Sequence, residues 1–297
     1  MKNVHCKKNK KSFKNKDFVF ENLGFQPQVL EIIKRNIYRS RGIILVSGII
    51  GSGKSTTLYS ILKILDAQRF KIATIEDAIR YKVKGIDQSR VNSKIGLNFL
   101  TSLKSFLRQD SDIIMIDEIQ DLEVLKVMTE AVLTGHLILS SINSENVLET
   151  LKLLSDADIP NFLIADTINV VISQKLVRKI CPHCIQDHNP SKKDINQLKK
   201  ISDFNYLLEK IDKKSDLSFH KGKGCRKCKY TGYQGKIGIY EVLENSREIS
   251  GLILKGISLE EIRKQAIKNG MITILEDAFL KAQNGITTIE EILKVFK

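Results

Sequence analysis

No run of apolar residues in this chain is long enough to cross a bilayer. The longest, Gly42 to Ile50, falls far short of the ~20 residues a spanning helix needs, and it contains Ser47 and Gly48. The N-terminus has no apolar segment of the kind an export signal requires: Ser12, Lys14, Asn15, Lys16 and Asp17 stand where one would lie. Cysteine is scarce, five in 297 residues, which excludes a small secreted disulfide scaffold. There is no internal repeat, no nucleic-acid-binding motif and no aromatic interleaving in the basic N-terminal tail, so direct nucleic-acid binding is not expected. What is present, 42% hydrophobic and 28% charged residues, is the composition of a soluble globular protein with length enough for two units.

The formal charge of +14 is unevenly placed. The first 16 residues carry seven Lys and no acid, and a second excess of basic residues lies between Gln186 and Lys229, so the rest of the chain is nearly neutral. Two readings fit the N-terminal run: a solvated tail, or a peripheral contact with anionic lipid.

Apolar residues at Val29, Ile32, Ile33 and Ile37 have helical spacing. Gly42-Ile-Ile-Leu-Val-Ser-Gly48 then reads as a buried parallel strand, and Thr56 to Ala67 as a helix. Further strands are expected at Lys71–Ile75, Asp112–Ile116 and His136–Ile142, with helices at Asn98–Arg108 and Leu122–Leu133 between them. Such alternation predicts an α/β unit with a mostly parallel sheet. After Ile180 the texture changes to cysteine pairs around a Lys-rich insert, and two helical stretches are expected from Ile257 onward. The expected divisions are a basic flexible tail (1–21), an α/β core (22–177), a four-cysteine module (178–236) and a C-terminal helical subdomain (237–297).

Gly48-Ile-Ile-Gly51-Ser52-Gly53-Lys54-Ser55 fits the phosphate-loop pattern in its required place, after a strand and before a helix. Glycines let backbone N–H groups curl round phosphate oxygens, the helix N-terminus adds partial positive charge, and Lys54 adds a full one. Thr56 continues the loop, and the Ser55 hydroxyl is placed to serve Mg²⁺. The strand Asp112–Ile116 ends in Asp117 and Glu118, as a Walker B strand delivers acid to the metal and to the attacking water. Cys181-Pro-His-Cys184 and Cys225-Arg-Lys-Cys228 are two C-x-x-C pairs able to place four thiolates round Zn²⁺, a closed and therefore structural site; disulfides are the competing account. Cys6 stands apart.

From Leu23 to Lys297 the sequence resembles the ATPases of type II secretion and type IV pilus assembly, the GspE/PilB group. The resemblance rests on the phosphate loop, Thr74-Ile-Glu76-Asp77, Gly96-Leu-Asn-Phe through Leu107-Arg108-Gln109-Asp110, Leu133-Thr-Gly-His136, Gln174-Lys-Leu-Val-Arg178, both cysteine pairs, Thr231 to Glu241, and Gly285-Ile-Thr-Thr-Ile-Glu-Glu. It implies a RecA-like P-loop core, ATP as substrate, and a hexameric motor in the cytoplasm that works against an inner-membrane platform protein. It also implies that Glu118 or Glu76 orients or deprotonates the attacking water, and that Arg108 and His136 lie near the nucleotide.

The chain departs from the family pattern at several of these positions. Ala78 and Arg80 stand where Pro and Glu are common, Asp117 where Gly is usual, and Gln120 where many members have Arg. Asn143-Ser-Glu replaces a His-Thr-Asn segment, removing an imidazole. The family's preceding domain, with arginines reaching the phosphates, has no counterpart in the short basic segment ahead of Leu23. Two alternatives to a pilus or secretion motor follow: a nucleotide-binding subunit that does not hydrolyse, and a DNA-uptake ATPase.

Overall fold

The computed structural model describes residues 19–65, 67–92, 96–201, 204, 206, 207 and 218–296. The basic N-terminal run, Cys6 and part of the Lys-rich insert lie outside them. The described chain opens with a short 3-10 turn, Phe20–Leu23, followed by α1 (Pro27–Ile37), β1 (Gly42–Ser47), α2 (Lys54–Ile64), β2 (Ile72–Glu76) and β3 (Asp87–Arg90). Next come α3 (Phe99–Leu107), β4 (Ile113–Ile116), α4 (Leu122–Leu133), β5 (Leu137–Ile142), α5 (Val147–Asp156), α6 (Asn161–Thr167) and the long β6 (Ile168–Ile180). The C-terminal third holds β7 (Ile185–Asp187), α7 (Lys192–Leu198), β8 (His220–Gly222), β9 (Tyr233–Glu244), α8 (Arg247–Leu254), α9 (Leu259–Lys268), α10 (Ile274–Gln283) and α11 (Ile289–Val295). No helix among the described residues is long and apolar enough to cross a membrane.

The main sheet has the order β3-β2-β4-β5-β1-β6-β9, parallel throughout except where β9 runs antiparallel to β6. Strand period two sorts the β1 residues to its faces. Ile43 and Leu45 join a core with α3 to α6, whereas Ile44 and Val46 join the opposite core with α1 and α2. β4 splits the same way, Ile114 and Ile116 against Ile113 and Met115. Side chains buried on both faces explain why these strands read as unbroken apolar runs. Helix starts are fixed locally: Asn98, Asp121, Asn146, Ser246, Ser258, Thr273 and Thr288 each accept a hydrogen bond from a first-turn amide, a contact that contributes about 1 kcal/mol.

Two expected boundaries fall inside strands. β6 pairs with β1 over its first half only, and then continues with β9 alone from Gln174 to Ile180. The divisions at 177/178 and 236/237 therefore cut a continuous ladder, and hydrogen-bonded strands do not make a linker. This ribbon carries a third core, in which Val177 and Ile239 meet Leu275, Phe279, Ile292, Leu198 and Phe219. Residues 1–21 are not all tail either: Phe20 is buried, its ring 5.2 Å from Phe25, which lies 3.9 Å from Tyr240. Beyond Ile257 there are three helices rather than two.

Two ionic contacts tie the C-terminal helices to the ribbon. Lys281, 2% exposed, donates from Nζ to Asp277 at 2.5 Å and to the Gly238 carbonyl at 2.7 Å; Asp277 also accepts from Gln26 Nε2 (2.8 Å) and the Tyr240 amide (2.8 Å). Asp277→Ala leaves an uncompensated buried ammonium and is expected to cost about 3–5 kcal/mol, readable as a lower urea midpoint. Glu291 accepts from Arg178 Nη2 and Lys294 Nζ, both at 2.7 Å, and from the Arg178 amide at 3.1 Å. Burial alone would raise its carboxyl, but these donors outweigh it and hold the pKa down at about 2, against an ordinary 4.5. A depressed folded pKa contributes stability that is complete above pH 4.5 and is lost as pH falls toward 2. Glu291→Gln is expected to flatten that part of the stability profile, measured as urea midpoint against pH.

Candidate functional site

The site gathers at the C-terminal ends of the parallel strands, where open α/β sheets place their ligands. β1 delivers the chain to Gly48, and α2 begins at Lys54 with Gly53 as its N-cap in the left-handed region, φ 95°. Gly48 is required by space as well as by conformation: with φ 152°, a Cβ there would sit 2.5 Å from the Gln174 carbonyl and against Ser52 Oγ. β6 holds the loop in shape, because Gln174 Nε2 donates to the Ser52 carbonyl (2.8 Å) while Thr57 Oγ1 donates to Gln174 Oε1 (2.7 Å). The loop walls a cavity of about 340 Å³ that is lined by Gly51 to Thr56, Arg80, Asp117, Glu118, Ser141 and Leu176.

Lys54 is nearly buried at 8% exposure. Its Nζ donates to the Gly48 carbonyl (2.7 Å) and to Asn143 Oδ1 (2.5 Å), and Glu118 Oε1 lies 3.6 Å away. Burial lowers its pKa, with Glu118 and Asp117 pulling the other way. Asp117 is fixed on all sides: its amide donates to the Ile75 carbonyl (2.9 Å), its carbonyl accepts from Ser141 Oγ (2.5 Å), and its Oδ1 accepts from Ser55 Oγ (3.3 Å). Burial pushes the Asp117 carboxyl up, while Arg80 and Ser55 draw it back. Ser52 Oγ is buried without a hydrogen-bond partner, an open donor on the loop of the kind a phosphate oxygen satisfies. The loop residues, Asp117 and Glu118 thus meet at one cavity, as the sequence leads one to expect.

Three sequence-based candidates are placed elsewhere. Glu76 ends β2 fully buried, and its two carboxylate oxygens are taken up by Thr74 Oγ1 (2.6 Å), Gln88 Nε2 (3.1 Å) and the Tyr59 hydroxyl. It does not line the cavity, whereas Asp117 and Glu118 both do. His136 precedes β5, bonding Thr134 Oγ1 (3.0 Å) and the Ala131 carbonyl (2.9 Å); ~20 Å of strand separates it from the phosphate loop. Arg108 caps the C-terminal end of α3 and is exposed; α3 runs back along the sheet, and the next residue, Gln109, touches Lys71 at the foot of β2. Both therefore stand at the end of the sheet away from the cavity. In their place the structure supplies Asn143, Gln174, Ser141 and Arg80. Ser141 carries no signal of its own in the sequence; Gln174, Arg80 and Asn143 stand in segments compared with the family above, but only their position at or beyond a strand brings them to the cavity.

The cysteines form a second centre. Cys181 and Cys184 lie at the β6–β7 turn, and Cys225 and Cys228 precede β9. The four Sγ atoms lie within 4.8 Å of one another without either neighbouring histidine, at 3.9 Å (Cys181–Cys225), 3.9 Å (Cys184–Cys228) and 3.8 Å (Cys225–Cys228). Sulfurs ~2.3 Å from a tetrahedral ion are ~3.8 Å apart, whereas disulfide sulfurs are ~2.05 Å apart. All four are free thiols. Burial works against the Cys228 thiolate, but the amides of Cys225 (3.2 Å) and Gly232 (3.3 Å) donate to its sulfur and bring the pKa down to about 6.

Comparison with known proteins agrees with this geometry. The profile of the type II/IV secretion system protein family matches residues 9–294. The type IV pilus assembly ATPase PilB of Thermus thermophilus is 40% identical over 273 residues, 92% of this chain and 30% of its own length. Type II secretion system protein E of Klebsiella pneumoniae is 37% identical over 273 residues, 92% and 52%. The chain thus spans from about a third to about half the length of these relatives. Among solved structures, the ADP-bound pilus retraction motor PilT superposes with a TM-score of 0.68 at 23% identity, covering 96% of this chain and 68% of that one. The Legionella pneumophila ATPase DotB gives 0.65 at 20%, covering 93% and 64%. With the phosphate loop, the acid-tipped β4 and the profile match over nearly its whole length, the chain belongs to the type II/IV secretion system protein family.

Proposed function

We propose that this chain is a P-loop ATPase that binds MgATP at the cavity between Lys54 and Glu118 and hydrolyses it to power assembly of a type IV pilus or a type II secretion pseudopilus. The observation that carries the reading is the placement of Lys54, bracketed by Gly48, Asn143 and Glu118 beside the Ser55–Asp117 pair. The loop amides and Lys54 receive the phosphates, and their charge releases Lys54 from its contact with Glu118. Ser55 and Asp117 would hold Mg²⁺, which would supply positive charge against the phosphate oxygens. Glu118 then accepts a proton from the attacking water, the water oxygen bonds to the terminal phosphorus, and the bond to the bridging oxygen breaks with its electron pair leaving on ADP. Glu76 serves as an anchor for α2 through Tyr59 rather than as the base.

The wider setting of the proposal is supported by family membership. The motor is a homo-oligomeric, hexameric ring at the cytoplasmic face of the inner membrane, acting on a membrane platform protein. The four thiolates hold one Zn²⁺ in a closed site that pins the end of the β6–β9 ribbon.

Glu118→Gln is expected to lower kcat for ATP by about 10²–10⁴ with ATP affinity nearly kept, and Lys54→Ala to remove both; a Mg²⁺-dependent phosphate-release assay with a parallel binding titration separates them. Tight ATP binding by the unaltered chain with no turnover overturns the hydrolytic reading. Metal analysis is expected to find about one zinc per chain. Cys225→Ser should release it and lower the thermal midpoint, whereas zinc-free protein with an unchanged midpoint overturns that assignment.

A further inference from the structure

Arg80 is the cation in the nucleotide cavity whose charge is not committed. Lys54 is engaged by a carbonyl, an amide oxygen and Glu118. Arg80 comes from the exposed loop after β2, lines the same cavity, and makes no ion pair within 4.0 Å among the described residues. β2 lies next to β4 in the sheet, which brings this loop alongside Asp117 and Glu118. The two cations at the cavity thus balance its two carboxylates, Asp117 and Glu118. The Glu common at this position in the resembling family would leave the wall two charges more negative, facing an anionic ligand.

We propose that Arg80 contacts the terminal phosphate of bound ATP from within the same chain. The inference rests on the ATP-binding reading above. A guanidinium presents several donors in one plane and suits phosphate oxygens better than an ammonium. Standing at the mouth of the cavity, Arg80 closes on the ligand without disturbing the bonds that hold Lys54 and Asp117. It is a phosphate-binding residue that separates ATP from ADP.

Equilibrium binding of fluorescent ATP and ADP analogues to the full chain tests this, using Arg80→Ala, Arg80→Lys, Arg80→Glu and Lys54→Ala. Arg80→Ala is expected to raise the Kd for ATP about 10-fold and that for ADP by less than about 3-fold, the size of one charge-assisted hydrogen bond. Arg80→Lys should recover part of the loss and Arg80→Glu should exceed it, with unchanged thermal midpoints because the loop is exposed. Unchanged ATP affinity in Arg80→Ala, or equal losses for ATP and ADP, overturns the proposal. Lys54→Ala keeps the two levels apart. If it abolishes ATP binding while Arg80→Ala does nothing, only the Arg80 assignment falls; if it too is without effect, the ATP-binding reading falls and takes this inference with it.

Discussion

Strand β6 is shared by two cores, and most of the architecture depends on that sharing. Its first half, Ile168 to Ser173, hydrogen-bonds to β1 and closes the parallel sheet, burying Val170 and Ile172 on one face and Val171 on the other. At the next residue, Gln174, the strand reaches the phosphate loop and fixes it through Ser52 and Thr57. Beyond that point β6 leaves β1 and continues only with β9, ending at Ile180, next to Cys181. One extended segment therefore sets the loop geometry, supports the C-terminal helices and positions half of the cysteine cluster. A strand is suited to this because its hydrogen bonds run sideways, so a single chain can be paired with different partners along its length.

The cavity is built around charges held partly out of water. Isolated, a buried ammonium would lose its proton or unfold its surroundings. Lys54 is tolerated because a carbonyl, an amide oxygen and a nearby carboxylate face it, and Asp117 because Ser55 donates to its carboxylate and its backbone is bonded to Ile75 and Ser141. These contacts leave the site preorganised but replaceable: on the proposed reading, phosphate oxygens would offer Lys54 a stronger partner than Glu118 at 3.6 Å. The same economy of buried charge recurs away from the site, where Lys281 and Asp277 join α10 to the ribbon and, through Gln26, to the first described segment.

The strand–turn–helix around Gly48 to Ser55 was legible in sequence because all of its determinants are local: glycines at fixed offsets, an apolar run before, an apolar stripe after. The same holds for the acid-tipped β4. The edge strand Asp87–Arg90 was not legible, since an exposed polar strand has no apolar alternation to reveal it. His136 and Arg108 were misplaced for a related reason. Their neighbouring motifs are adjacent in sequence to strands that do line the site, but each lies at the opposite end of its strand, and only the direction of the chain through the sheet tells the two ends apart.

The sequence by itself determined the phosphate loop, the paired carboxylates, the two C-x-x-C pairs and the α/β alternation, because each depends on residue type at short spacing. Tertiary structure decided which groups meet: Asn143 and Glu118 on Lys54, Gln174 under the loop, Arg80 at the cavity mouth, and Cys181 beside Cys225. Those contacts join residues dozens of positions apart and follow from strand order and register, which hydrogen bonding and the burial of both sheet faces select for the whole chain at once.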